Sequence, residues 1–165
     1  MAQVMLAAKL AERGISADVR SAGLLEGGRP AWPEAVVAVA ERGLDLGAHA
    51  SRAMEQSIVR DADLVLGMTR EHAREAVALE PSAYSRVFTL KELVRVGGTH
   101  PRGREPLDTW LAGVAEQRAV EDLLGTDPAD DVDDPIGGPI DAFRATATEL
   151  DELLDRLVRA AFPEA

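Results

Sequence analysis

The sequence predicts an α/β fold, with a parallel sheet and helices on both faces. Asp63–Met68 (D-L-V-L-G-M) and Arg86–Leu90 (R-V-F-T-L) are short apolar runs bounded by polar residues, the pattern of strands buried in a parallel sheet. Ile15–Ser21 alternates and reads as a third short strand. Segments with helical spacing of apolar residues lie between and around these runs, the order that gives β-α-β units.

Each element has a local reason. In Met1–Arg13, Val4, Leu6, Ala7, Leu10 and Ala11 fall at helical spacing, and Gly14 suits the left-handed residue just past a helix end. No cap residue precedes this helix, so its first N–H groups lack partners in the sequence. After the strand at Ile15–Ser21, Leu24–Trp32 is a Gly/Pro-rich loop. Pro33 then occupies a favourable first helical position for a helix over Glu34–Arg42, stopped by Gly43. Leu44–Arg52 is a loop and Met54–Arg60 a short helix. Thr69 caps a helix that runs through Leu79. Pro81–Ser85 is a turn, Lys91–Val96 is helical, and Gly97–Pro106 is a loop. Leu107–Leu124 reads as a long amphipathic helix ended by Gly125, Thr126–Gly138 as an acidic loop, and Pro139–Ala161 as the last helix. Three strands are few for such a sheet, and the chain opens on a helix where a strand is expected. It reads as if a first strand were missing.

The 165 residues are expected to form one domain spanning 1–165. The net charge of −11 argues against nucleic-acid binding, which needs a basic face, and against docking on an anionic membrane. Hydrophobic residues at 46% place the chain among globular proteins. The chain has no cysteine, which excludes disulfides, thiolate metal sites and a cysteine nucleophile within it. Met1–Arg13 carries Lys9, Glu12 and Arg13 and matches no signal peptide, and no apolar run reaches membrane-spanning length. A cytoplasmic protein is the expectation.

The acidic loop is the most distinctive segment: Asp127, Asp130, Asp131, Asp133 and Asp134, then Pro135-Ile136-Gly137-Gly138. It reads as a carboxylic acid presented on a tight turn, because Asp-Pro sets turn geometry and the glycines permit close approach. It also reads as a cation site, although Ile136 stands where the calcium-loop glycine is required counting from Asp131. A solvated loop capping the last helix is the third reading. His49, His72 and His100 share no metal-ligand spacing, and no serine sits in a G-x-S-x-G elbow. Gly23, Gly27 and Gly28 fit no nucleotide motif, and Met1, Met5, Met54 and Met68 read as core. Arg102 and Arg104 form a short basic loop that could bind an anion. Trp110 reads as core, whereas Trp32, in P-A-W-P, could line a pocket.

Seven segments in order resemble the low-molecular-weight protein tyrosine phosphatases. M-A-Q-V-M-L at the start resembles the family's first helix, and Ser21-Ala22-Gly23 its S-A-G. Gly27–Val36, Ala48–Arg52 (A-H-A-S-R), Ala62–His72 and Val87–Leu93 resemble its following loops, strands and helices. Asp133–Gly138 (D-D-P-I-G-G) resembles its D-P-x-G acid loop. The resemblance implies a three-layer α/β/α fold of the phosphotyrosine protein phosphatase I-like kind. It implies hydrolysis of a phosphotyrosine protein or small phosphomonoester through a phosphocysteine, without metal or cofactor. By resemblance Asp134, directly before Pro135, is the general acid, which protonates the leaving oxygen and then activates water. Ser21 is expected to support the family's phosphate-binding loop from the neighbouring strand, and Ser21, Trp32 and Ile136 are the candidate substrate-side residues. Ile136 departs from the aromatic often found there, which bears on phosphotyrosine specificity.

The family's first strand, central in its sheet, leads into a C-x5-R-S loop whose amides and arginine hold phosphate at a helix N-terminus. Met1 falls just after that motif, so the strand and loop are expected to be missing from this chain. On that reading the chain is N-terminally incomplete, and the polypeptide alone is inactive. A non-catalytic pseudo-phosphatase with a binding or regulatory role is the alternative, and the arsenate-reductase branch of the same fold a further one.

Overall fold

The apolar spacing at the start of the chain becomes helix α1 (Ala2–Glu12) in the computed structural model, which describes residues 1–163 except 120–122, 124, 126 and 127. Gly14, at φ +69°, turns the chain out of this helix as its sequence requires. The chain forms two compact units. One comprises Met1–Ala53 with Asp133–Val158, the other Met54–Val132 with Arg159–Ala165.

In the first unit, α1 is followed by α2 (Pro33–Ala40), with Pro33 at its first position and Gly43 at φ +75° beyond its end. Most of α7 (Ile140–Ala161) also belongs here. Ala35, Ala38 and Val39 of α2 pack with Leu46 and with Phe143 and Ala147 of α7, and Met1, Val4 and Leu44 close over them. The strand expected at Ile15–Ser21 does not form. A strand needs a ladder partner, and the Val19 carbonyl instead accepts from the Gln3 side-chain amide at 3.0 Å. Pairing in this unit is reduced to two lone bridges, Gly23 with Ala53 (parallel) and Pro30 with Ala50 (antiparallel).

The second unit holds the sheet. It begins with α3 (Gln56–Arg60), then β1 (Val65–Gly67), α4 (Arg70–Leu79), a 3₁₀ turn (Pro81–Arg86) and β2 (Val87–Thr89). It continues through α5 (Leu90–Gly97), α6 (Leu107–Glu116) and a 3₁₀ turn (Pro128–Asp130). The α/β class holds: β1 and β2 pair in parallel, with Val65 opposite Val87 and Gly67 opposite Thr89, and α4 is the crossover between them. A Cβ at Gly67 would lie 2.9 Å from the Thr69 carbonyl oxygen and 3.0 Å from the Ala73 nitrogen, so glycine is what lets the strand end pass under the start of α4. Thr69 caps α4 as expected, and Thr89 caps α5 in a reciprocal box with Glu92. Val59, Ala73, Ala76, Ala83, Val87 and Leu123 form the apolar centre.

Helix α6 stops at Glu116, short of the expected Leu124, which lies outside the described residues together with Asp127. Arg118 lies just past this end. Its guanidinium turns inward to the Glu92 carboxylate, 2.7 Å away, with both side chains buried, and lies over the rings of Phe88 and Tyr84 at 4.5 and 4.9 Å. Among the described residues the sheet has two strands rather than three.

Candidate active site

Asp134 sits on the expected tight turn, in the first unit. Its Oδ1 accepts the Ile136 N–H at 3.0 Å, closing an Asx turn. The Gly138 N–H donates to the Pro135 carbonyl at 2.9 Å, and Gly137 takes φ +83°, so Gly137 is required here by conformation. At Gly138 a Cβ would meet the Pro135 oxygen at 3.0 Å and the Ala142 Cβ at 3.2 Å. The Thr146 hydroxyl, on α7, reaches the Asp133 carbonyl at 3.5 Å. Asp134 is exposed, and Ile136 is 54% exposed beside it. The turn thus holds one carboxyl oxygen and presents the group to solvent, an arrangement suited to giving and taking a proton.

Ser21 lies against the first turn of α1. Its hydroxyl donates to the Gln3 Oε1 at 2.7 Å, and the other end of that amide holds the Val19 carbonyl. Gln3 is a residue that sequence reasoning missed; the signal was a polar side chain inside an otherwise apolar helix start. Ser51, in the A-H-A-S-R segment, fastens the preceding glycine loop. Its N–H donates to the Arg29 carbonyl at 2.8 Å, its hydroxyl accepts the Arg29 N–H at 3.0 Å, and its carbonyl accepts the Gly28 N–H at 2.8 Å. Burial, with the positive Met1 amino group second, holds the His49 imidazole below its ordinary pKa. Trp32 is the cap residue of α2 and half-exposed. Asp134 and Ile136 share one turn; among the described residues no hydrogen bond ties Asp134 to Ser21, Trp32 or His49.

The other candidates have structural roles in the second unit. The His72 ring and N–H both meet the Thr69 hydroxyl at the start of α4. His100 bonds the Thr99 hydroxyl, and its carbonyl receives the buried Trp110 indole N–H at 2.8 Å. Arg102 holds the end of α7 through the Ala160 and Ala161 carbonyls.

The acidic loop divides in a way its composition hides. Asp130 is buried and Asp131 half-buried, both in the second unit, whereas Asp133 and Asp134 are exposed in the first. Asp130 accepts from Arg70 at 3.2 Å and from Arg95 at 2.9 Å. Asp131 accepts the backbone N–H of Arg70 at 2.8 Å, so a carboxylate distant in sequence supplements the cap of α4. Among the described residues, no group of three His, Cys, Asp or Glu is placed to hold a metal ion. No helix among them is long and apolar enough to cross a membrane.

The family model described as low molecular weight phosphotyrosine protein phosphatase matches residues 1–124. A protein-arginine-phosphatase of Bacillus subtilis is 32% identical over 161 residues, covering 96% of this chain and 85% of the relative. A probable low molecular weight protein-tyrosine-phosphatase, EpsP, of Ralstonia solanacearum is 38% identical over 121 residues, covering 73% and 81%. The crystal structure of a low molecular weight protein tyrosine phosphatase from T. tengcongensis matches with a TM-score of 0.71 at 29% identity, over 96% of this chain and 87% of that one.

Proposed function

The chain belongs to the low molecular weight phosphotyrosine protein phosphatase family, and from that premise we propose that Asp134 is its general acid in hydrolysis of a phosphorylated protein side chain. The observation that carries this is the Asx turn: Oδ1 is fixed by the Ile136 N–H while the carboxyl stays exposed, so the acid is oriented and reachable at once. In the family's two-step chemistry a thiolate attacks phosphorus. The acid protonates the leaving atom as its bond to phosphorus breaks, and the resulting carboxylate then takes a proton from the water that hydrolyses the phosphocysteine.

This polypeptide contains no cysteine, so no phosphocysteine forms on it and it does not turn over by itself. We place the reaction in the cytoplasm, where the thiol that such chemistry uses stays reduced.

A second reading concerns the substrate. Ile136 offers no ring to stack on a phenyl group, and the relative matched over 96% of the chain is a protein-arginine-phosphatase. Both favour phosphoarginine over phosphotyrosine proteins, with Asp134 protonating a guanidinium nitrogen as the P–N bond breaks.

The test has two parts. Purified 165-residue protein is expected to leave p-nitrophenyl phosphate intact. The same chain joined to an apolar strand and a C-x5-R-S loop ahead of Met1 is expected to hydrolyse it and to prefer phosphoarginine over phosphotyrosine peptides. Turnover by the cysteine-free protein, abolished by Asp134→Asn, would overturn the inactivity. A loop-bearing form indifferent to Asp134→Asn would overturn the acid.

A further inference from the structure

We infer that Asp130 and Asp131 are positioning residues that anchor the entrance of the acid loop. This rests on the reading of Asp134 as the acid. Residues 130–132 are held at five points within the second unit. Asp130 binds the guanidinium groups of Arg70 and Arg95. The Asp131 carboxylate takes the Arg70 N–H, and its carbonyl takes the Lys91 ammonium at 2.6 Å. The Val132 N–H donates to the Met68 carbonyl at 2.8 Å, just past the carboxyl end of β1.

Arg70 is therefore gripped at both ends, by its backbone through Asp131 and by its side chain through Asp130. Charge-assisted bonds to buried groups are the strong ones, and Asp130 and Arg70 are 6% and 8% exposed at their side chains. Only Asp133 separates this grip from Asp134. The clamp fixes residues 130–132, and the Asx turn then orients the acid. Neither carboxylate touches substrate; they act through the loop.

The experiment uses the 165-residue protein as it is, with Asp130→Asn, which keeps shape and removes charge, and the milder Arg95→Gln. The readout is amide hydrogen exchange at Ile136 and Gly138 against that of Ala38 and Val39 in α2. Asp130→Asn is expected to speed exchange in the acid loop ~10-fold and Arg95→Gln ~3-fold, with the α2 amides within ~2-fold of the parent. Asp130→Glu should restore part of the protection. Unchanged loop exchange in both folded variants, or an equal rise in α2, would overturn the clamp. Faster loop exchange together with an inert Asp134→Asn change in the loop-bearing form would keep the clamp and remove the acid, so the two readings fail separately.

Discussion

In the second unit β1 and β2 share a ladder, the crossover helix α4 is capped from two directions, and Arg118 and Glu92 pair out of water. In the first unit the backbone pairs only at two lone bridges, and loops are tied by side chains such as Gln3, Ser21 and Ser51. The exposed acid belongs to this second kind of construction. The contrast separates two kinds of construction in one chain: buried charges and a ladder serve as frame, while turn hydrogen bonds present an exposed carboxylate.

The contrast breaks first at Arg118. Replacing it with alanine strands the Glu92 carboxylate in the interior, which is expected to cost about 3–5 kcal/mol in urea denaturation. Removing both charges together, with Arg118→Met and Glu92→Gln, which keeps an acceptor for the Thr89 N–H, should cost far less. A single-variant loss below about 1 kcal/mol would show that the pair is not what holds the second unit.

Asp134→Asn probes the other side. In a loop-bearing form it is expected to lower kcat/KM for phenyl phosphate ~10²–10⁴-fold, and less for p-nitrophenyl phosphate, whose leaving group needs little protonation. Its urea midpoint should match the parent, because the exposed carboxyl makes only a local turn. An equal loss on both substrates would point to misfolding rather than to a missing acid.

Gly27→Ala tests the loop–loop construction. Its Cβ would lie 2.9 Å from the Ser51 carbonyl oxygen and 3.1 Å from the Arg52 Cα, both backbone and therefore slow to yield. A loss of about 1–3 kcal/mol is expected, with the Gly28 and Ser51 amide resonances displaced most. Undisturbed resonances there would show that the two loops are not in register through this glycine.

The smallest effect is expected at His49. Burial, then the Met1 amino group, holds this imidazole below 6.5, so as pH falls the unfolded chain takes up this proton before the folded chain does. The resulting stability is whole above pH 6.5 and is lost as pH drops below it. His49→Gln should flatten that part of the urea-midpoint profile, and an unaltered slope would mean that the ring titrates normally.

Local patterns were legible where the physics is local. Apolar runs located β1 and β2, and periodicity located the helices, with α6 the exception at its C-terminal end. Thr69 announced its cap, and Gly14 and Gly43 announced positive φ. The Asp-Pro-x-Gly turn marked Asp134, because an Asx turn spans three consecutive residues and is written in them.

Tertiary structure alone decided four things: that Ile15–Ser21 stays out of a ladder, that Arg118 leaves α6 for Glu92, that Gln3 reaches Ser21, and that two aspartates of the acidic loop are structural. Arg118 and Glu92 are 26 positions apart, Gln3 and Ser21 are 18, and Arg70 and Asp130 are 60. An aspartate in a charged loop looks the same in sequence whether it faces water or an arginine. Which of the two it faces depends on where the chain returns, and that is set by packing of the whole fold rather than by the residues beside it.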